Sequence, residues 1–196
     1  MQSNANRKLN MQKLLAPAAL VILYVFFSIF GKNFFGYEGF KQILQSSYYI
    51  GFMAFGVTFV IITGGIDLSI GTVMMCSAII GGTAFTNWGW PVPLALVLVL
   101  VSGLFFGLCN GLMIAKAKLP PFIATLGTMM VSQGFGSIIS NVRTMHYSPT
   151  YVGDWFRPVF YISGNFPVGA IWLLGAFVIA AFVLNKTRLG RYNFAI

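Results

Sequence analysis

The longest stretch without a charged side chain limits what this chain can fold into. Between Asp67 and Lys116 lie 48 residues that include no Asp, Glu, Lys or Arg. A helix crosses a bilayer with about 20 mostly apolar residues, so this stretch is too long for one crossing and suits two. In the whole chain 58% of residues are hydrophobic and 8% are charged, whereas soluble domains are about a quarter charged. The sequence therefore predicts a polytopic α-helical membrane protein.

Charges and turn formers divide the chain into spans. The sequence NWGWPVP at 87–93 combines turn formers with interfacial tryptophans, and it separates the two spans of the uncharged stretch. A short amphipathic piece over about 37–47 is expected at the membrane interface. The pattern predicts a transmembrane domain over 14–185, with spans at about 14–31, 48–64, 70–86, 93–115, 120–140 and 168–185. Outside the spans lie an N-terminal tail, 1–13, and a long polar outer loop, 141–167.

The distribution of basic residues predicts the orientation. With the N-terminus inside, eight Lys and Arg lie in cytoplasmic segments and four lie in outer segments. Cytoplasmic loops carry an excess of basic residues, so both ends are expected in the cytoplasm. We therefore attribute the net charge of +9 to basic residues that orient the chain in the membrane. Nucleic acid is not an expected partner.

Residues 63–71, TGGIDLSIG, interrupt the apolar pattern. The paired glycines permit backbone shapes that other residues resist. Asp67 is suited to cap a helix that begins at about Leu68. The alternative is a broken-helix or re-entrant segment near a translocation path, since irregular backbone is tolerated at membrane depth only against protein or water. That alternative makes Asp67 and Ser69 candidate path residues.

The fourth span combines small residues with one amide. Gly103, Gly107 and Gly111 form a stripe that lets a neighbouring backbone approach closely. The stripe serves either packing within the bundle or a contact between two copies. Asn110 needs a hydrogen-bond partner, so it is expected to face the bundle or an aqueous path.

The fifth span presents hydroxyl groups. Two prolines suit its first turn, where the N–H groups lack helical partners anyway. Thr125, Thr128 and Ser132 recur at helical spacing and therefore share a face, and Gln133 follows. The face either packs against another helix or lines a hydrophilic pore, which adds these four residues and Asn110 to the path candidates.

Signatures of catalysis are missing from the sequence. His146 is the single histidine, no paired carboxylates lie within one span, and no P-loop motif occurs. Cys76 and Cys109 lack the spacing of metal ligands. The chain is therefore expected to be no enzyme and to have no catalytic residue, metal site or cofactor. Ionisable residues within the spans are also scarce, so a transporter of this composition must take its energy from elsewhere.

Four segments resemble the permease subunit of bacterial ABC importers for ribose and related monosaccharides. They are IITGGIDLSIG at 61–71, GLCNGLMI at 107–114, PPFIATLGT at 120–128 and NKTRLGRYNFAI at 185–196. The likeness covers nearly the whole chain from about residue 20. It implies an all-α permease fold of about ten helices, of which this chain would hold about six. Members of the family run on for roughly a hundred more residues, so the sequence looks truncated or partial.

The resemblance also implies partners and site residues. A monosaccharide would be delivered by an extracytoplasmic binding protein and imported by a pair of permease copies, identical or different, in the inner (plasma) membrane of a bacterium. A separate cytoplasmic ATPase would drive import. Candidates for docking the binding protein are Arg143, Asp154 and Arg157. The loop that couples to the ATPase would start in 186–196, with the candidates Arg188, Gly190 and Arg191.

Two other functions stay open from the sequence. A permease of the same architecture for another small polar solute, such as a nucleoside or a quorum signal, fits these residues equally well. A membrane enzyme or structural subunit would need a catalytic cluster outside this sequence.

Overall fold

A computed structural model of the chain describes residues 2–32, 34–144, 159 and 166–195. These residues form seven α-helices, which confirms the all-α prediction. They are α1 (Gln2–Phe30), α2 (Tyr37–Ile62), α3 (Ile70–Thr86), α4 (Val92–Ala115), α5 (Pro121–Ser140), α6 (Gly169–Lys186) and α7 (Arg188–Phe194). Among them α2, α4, α5 and α6 are long and apolar enough to cross a membrane, while α3 and the Pro17–Phe30 part of α1 are shorter apolar helices.

The chain divides into two compact units, of which Met1–Ser47 is the first. In this unit α1 begins at Gln2, so the helix includes most of the segment that was predicted as a tail. After α1 the ring of Phe34 turns back onto Tyr24 and Phe27, with centroid distances of 5.5 and 5.7 Å. The predicted interfacial piece, 37–47, is the first part of α2 and not a separate helix. No glycine or proline between residues 40 and 50 interrupts the helix there.

In the second unit, Tyr48–Ile196, α3 packs antiparallel to α4. Gly81 of α3 lies against the backbone of Ala95, and an added methyl group there would come within 3.1 Å of the Ala95 carbonyl oxygen. One turn earlier in α3, the hydroxyl of Ser77 faces Gly103 of α4. Small residues on both helices therefore allow a close approach, in which Gly103 of the predicted stripe takes part.

Helix α5 runs parallel to α3 on another side of it. Ser132 contacts Thr72, and one turn further along both helices Gly136 contacts Cys76. Among the helices of the unit, α3 has the largest number of buried residues, including Cys76, Ile80 and Ala84. Helix α3 is thus the centre of a three-helix arrangement with α4 and α5.

Helix α6 packs along α2. Gly51 lies against Leu173, with 2.6 Å between an added methyl group and the Leu173 Cδ1 atom, and the rings of Phe55 and Phe177 are 5.9 Å apart. The contacts advance in the same direction along both helices, so α2 and α6 are parallel. In the predicted topology, spans two and six also cross the membrane in the same direction. The predicted domain limits are not tested by these contacts and stay predictions.

Candidate functional site

The glycine pair at 64–65 ends α2 through a Schellman motif. Gly64 has a φ of 72°, in the left-handed region that glycine adopts without a steric penalty. Its N–H donates to the carbonyl of Ile61 at 2.9 Å, and the N–H of Gly65 donates to the carbonyl of Val60 at 3.1 Å. These two bonds satisfy carbonyls that a helix end otherwise leaves unpaired. The connection between α2 and α3, residues 63–69, therefore begins in a defined direction.

Asp67 organises the start of α3, but in a different way from the prediction. The helix begins at Ile70 and its N-cap is Ser69, so it starts two residues later than expected. The Asp67 carboxylate accepts the N–H of Ser69 at 2.8 Å and the Ser69 hydroxyl at 2.7 Å. This is the local turn in which an Asp side chain bonds the backbone two residues on. The carboxylate thus holds the N-cap residue and bonds no N–H group of the helix itself.

Asn110 of α4 joins α3 to α5 through two buried hydrogen bonds. Its Nδ2 donates to the Ser69 hydroxyl at 2.9 Å, and its Oδ1 accepts from the Thr128 hydroxyl at 2.5 Å. Ser69, Asn110 and Thr128 are only 1%, 8% and 6% exposed. Asn110 therefore faces the bundle, which is one of the two settings expected of it.

The charge on Asp67 determines which group donates in each hydrogen bond that links Asp67, Ser69, Asn110 and Thr128 in series. An ionised carboxylate only accepts, so the Ser69 hydroxyl must donate to it. That hydroxyl then accepts from Asn110, which must present its NH₂ group to Ser69 and its oxygen to Thr128. Bonds to a charged group are stronger than neutral ones, and bonds in a series polarise one another. We call these four side chains, Asp67, Ser69, Asn110 and Thr128, the polar network.

Two further hydroxyls of α5 attach this helix to the same end of α3. The Thr125 hydroxyl accepts the N–H of Leu68 at 3.3 Å, and lies 2.9 Å from the Pro121 carbonyl oxygen. Ser132 donates to the Thr72 hydroxyl, which in turn donates to the Ser69 carbonyl, both at 2.9 Å. In the described part of the chain, the hydroxyl face of α5 therefore serves contact between helices.

Gln133 is the path candidate that stands apart from this cluster. Its side chain is exposed, and it lies on the side of α5 that also carries the exposed Met130. One residue turns a helix by about 100°, which separates Gln133 from the buried Ser132. An exposed amide within a membrane span is costly unless it meets water or other protein.

The remaining candidates lie elsewhere. Arg143 is exposed and follows α5, while Asp154 and Arg157 lie outside the described residues. Arg188 and Arg191 are exposed, and Gly190 is buried between α6 and α7. A methyl group on Gly107 or Gly111 would meet nothing within 4 Å among the described residues, so within that part of the chain only Gly103 of the stripe faces another helix.

Sequence reasoning missed two contributors. Thr72 lies one turn after Ser69, and this helical spacing could have identified it from the sequence. Asn193 of α7 donates to the carbonyl of Phe59 at the end of α2, at 3.0 Å, and no pattern relates two residues that far apart in the chain. Among the residues that the structure describes, no group of three His, Cys, Asp or Glu is placed to hold a metal ion.

Comparison with known proteins gives one family. The profile of the branched-chain amino acid transport system permease component matches residues 39–196. The ribose import permease of Bacillus subtilis is 38% identical over 95% of this chain and 57% of its own length. The fructose import permease of Rhizobium meliloti is 31% identical over 92% of this chain and 53% of its own length.

A third relative is named for another sugar, xylose. The xylose transport permease of Escherichia coli is 34% identical over 88% of this chain and 44% of its own length. The chain therefore spans about half the length of these curated relatives. No solved structure matches it significantly.

Proposed function

We propose that this chain, which belongs to the family of permease components of branched-chain amino acid transport systems, is part of a permease subunit that imports a monosaccharide. The observation that carries the proposal is the likeness, along about nine-tenths of the chain, to permeases named for ribose, fructose and xylose. The helices give a multi-pass membrane protein.

The partners and the orientation belong to the same proposal. The permease works as a pair of copies in the inner membrane of a bacterium, with its N-terminus in the cytoplasm. A binding protein delivers the sugar from outside, and a separate ATPase supplies the energy. The basic excess in the predicted cytoplasmic segments supports this orientation. Arg143, Asp154 and Arg157 remain candidates for docking the binding protein, where rim charges steer encounter.

We assign the path candidates two different tasks. Six of them are engaged in contacts within the helix bundle, and we propose that they hold its cytoplasmic end in shape: Asp67, Ser69, Asn110, Thr125, Thr128 and Ser132. Gln133 is exposed, and we propose that its amide contacts the sugar.

The proposed function is tested with the full-length permease in liposomes, together with its ATPase and its binding protein. We expect binding protein loaded with one pentose or hexose to stimulate ATP hydrolysis and to fill the liposomes with that sugar. Stimulation by none of a panel of pentoses and hexoses contradicts sugar import. Stimulation by a nucleoside or a signalling molecule instead keeps the transport architecture and replaces the substrate class.

Replacing Gln133 with leucine tests the proposed sugar contact. We expect sugar uptake to fall about tenfold at limiting sugar, because one lost hydrogen bond of a polar ligand is worth about that factor. The matched control is Ser137→Ala, one turn away on the same exposed face, whose hydroxyl bonds the Gln133 carbonyl locally at 2.9 Å. Equal uptake by the two variants contradicts the assignment of Gln133.

A further inference from the structure

We propose that Asn193 is a positioning residue that ties the end of α2, and with it the 63–69 connection, to α7. The inference rests on the proposed function, because Arg188 and Arg191 of α7 are the candidates for coupling to the ATPase. Asn193 touches neither the sugar nor ATP in this proposal. It sets where the polar network lies relative to the segment on which the ATPase acts.

The first support is the unusual partner of a helix-end carbonyl. The last four carbonyls of a helix lack partners within it. In α2 the carbonyls of Val60 and Ile61 are satisfied by Gly65 and Gly64. The Phe59 carbonyl instead accepts from Asn193 Nδ2 at 3.0 Å. Since an unpaired carbonyl is costly in an apolar setting, this bond gives α7 a specific attachment to α2.

The second support is the hydrogen-bonded turn between α6 and α7, residues 183–190, which we call the corner. The Thr187 hydroxyl donates to the Val183 carbonyl at 2.6 Å and accepts the N–H of Gly190 at 3.4 Å. Gly190 is buried against the backbone of Leu184. These contacts hold α7 against the end of α6, so we expect a displacement of α7 to carry Asn193 and the corner together.

The third support is the short distance along the chain between the attachment point and the polar network. Four residues after Phe59 the 63–69 connection begins, and it leads to Asp67 and Ser69 of the polar network. On its far side the connection is held by Thr125 of α5 through the N–H of Leu68. The connection is thus fixed to α7 at its start and to α5 near its end, so displacement of α7 alters its position against α4 and α5.

Hydrogen exchange in the full-length permease tests the attachment without any transport measurement. The variant is Asn193→Leu, which keeps a side chain of similar size and removes the donor. We expect the amides of Gly64 and Gly65 to exchange about fivefold faster, the size of one net hydrogen bond. The control is Asn185→Leu, which removes a 2.8 Å bond to the Ala181 carbonyl within α6, and it should leave these amides unchanged.

Transport by the reconstituted complex tests the consequence. We expect Asn193→Leu to lower the amount of sugar transported per ATP hydrolysed by about threefold, which is less than the full effect of one hydrogen bond on amide exchange. Binding of the ATPase should be unchanged. Asn193→Gln, which restores a donor, should recover part of the loss. Equal exchange and equal stoichiometry in the Asn193→Leu and Asn185→Leu variants overturn the inference. If the unmodified complex transports no sugar, the proposed function fails, while the exchange rates still decide whether Asn193 fixes α2.

Discussion

Replacing Gly190 with alanine is expected to open the corner between α6 and α7 and to remove most sugar-stimulated ATP hydrolysis by the assembled transporter. A methyl group on Gly190 would overlap the carbonyl oxygen and carbonyl carbon of Leu184. These are backbone atoms, so they cannot move aside by changing a rotamer. We expect a loss of about 3 kcal/mol, at the upper end of the usual cost of overpacking. Thermal unfolding of the detergent-solubilised permease measures the loss of stability.

A second glycine of the same region provides the control. A methyl group on Gly175 of α6 would meet nothing within 4 Å among the described residues. Alanine is favoured over glycine in a helix by about 1 kcal/mol, so Gly175→Ala should be neutral or slightly stabilising and should keep its coupling to the ATPase. If both alanine variants unfold at the same temperature, the close approach at Gly190 is not the constraint that we infer.

The sequence was sufficient to locate the helices, but it did not locate all of their ends. Charges and turn formers located the apolar segments because a bilayer imposes a length on each of them. The amphipathic residues of 37–47, which were expected at the interface ahead of a span at about 48–64, continue into α2 without a helix breaker. The start of α3 was placed two residues early because both Asp67 and Ser69 are good N-cap residues. Local preference does not choose between them, whereas packing against Asn110 does.

The candidate site was predictable in its residue types but not in its pairings. A buried amide at Asn110 required partners, yet the sequence does not relate it to Ser69 and Thr128, which lie on two other helices. The rotation of each helix decides such pairings, and rotation follows from close contacts such as those of Gly81 and Gly136. The separation of Gln133 from the hydroxyl face was available from helical periodicity alone, because Thr125, Thr128 and Ser132 define one face and Gln133 lies outside it.

Replacing Asn110 with leucine is expected to lower the stability of the permease by about 2 kcal/mol, the sum of two buried hydrogen bonds between helices. Leucine is similar in size, so the effect reports the lost polar groups and not a cavity. Thr128 loses its acceptor, and Ser69 loses the donor that orients it towards Asp67. The measurement is thermal or denaturant unfolding in detergent. The control is Ser102→Ala on the same helix, whose hydroxyl bonds only the local Val99 carbonyl at 2.9 Å and whose removal should cost far less.

A double-mutant cycle between Asn110 and Thr128 separates the network from the individual side chains. If the two residues bond each other across α4 and α5, Asn110→Leu combined with Thr128→Val costs less than the sum of the single changes, by about 1 kcal/mol. Thr58→Val calibrates the threonine change, because its hydroxyl donates to the Ala54 carbonyl of its own helix at 2.7 Å; combined with Asn110→Leu it should be additive. Additivity for Thr128 as well means that Asn110 does not join the two helices. A coupling confined to Thr128 means that the polar network fixes α4 against α5 at the end of the bundle where α2 and α7 also meet.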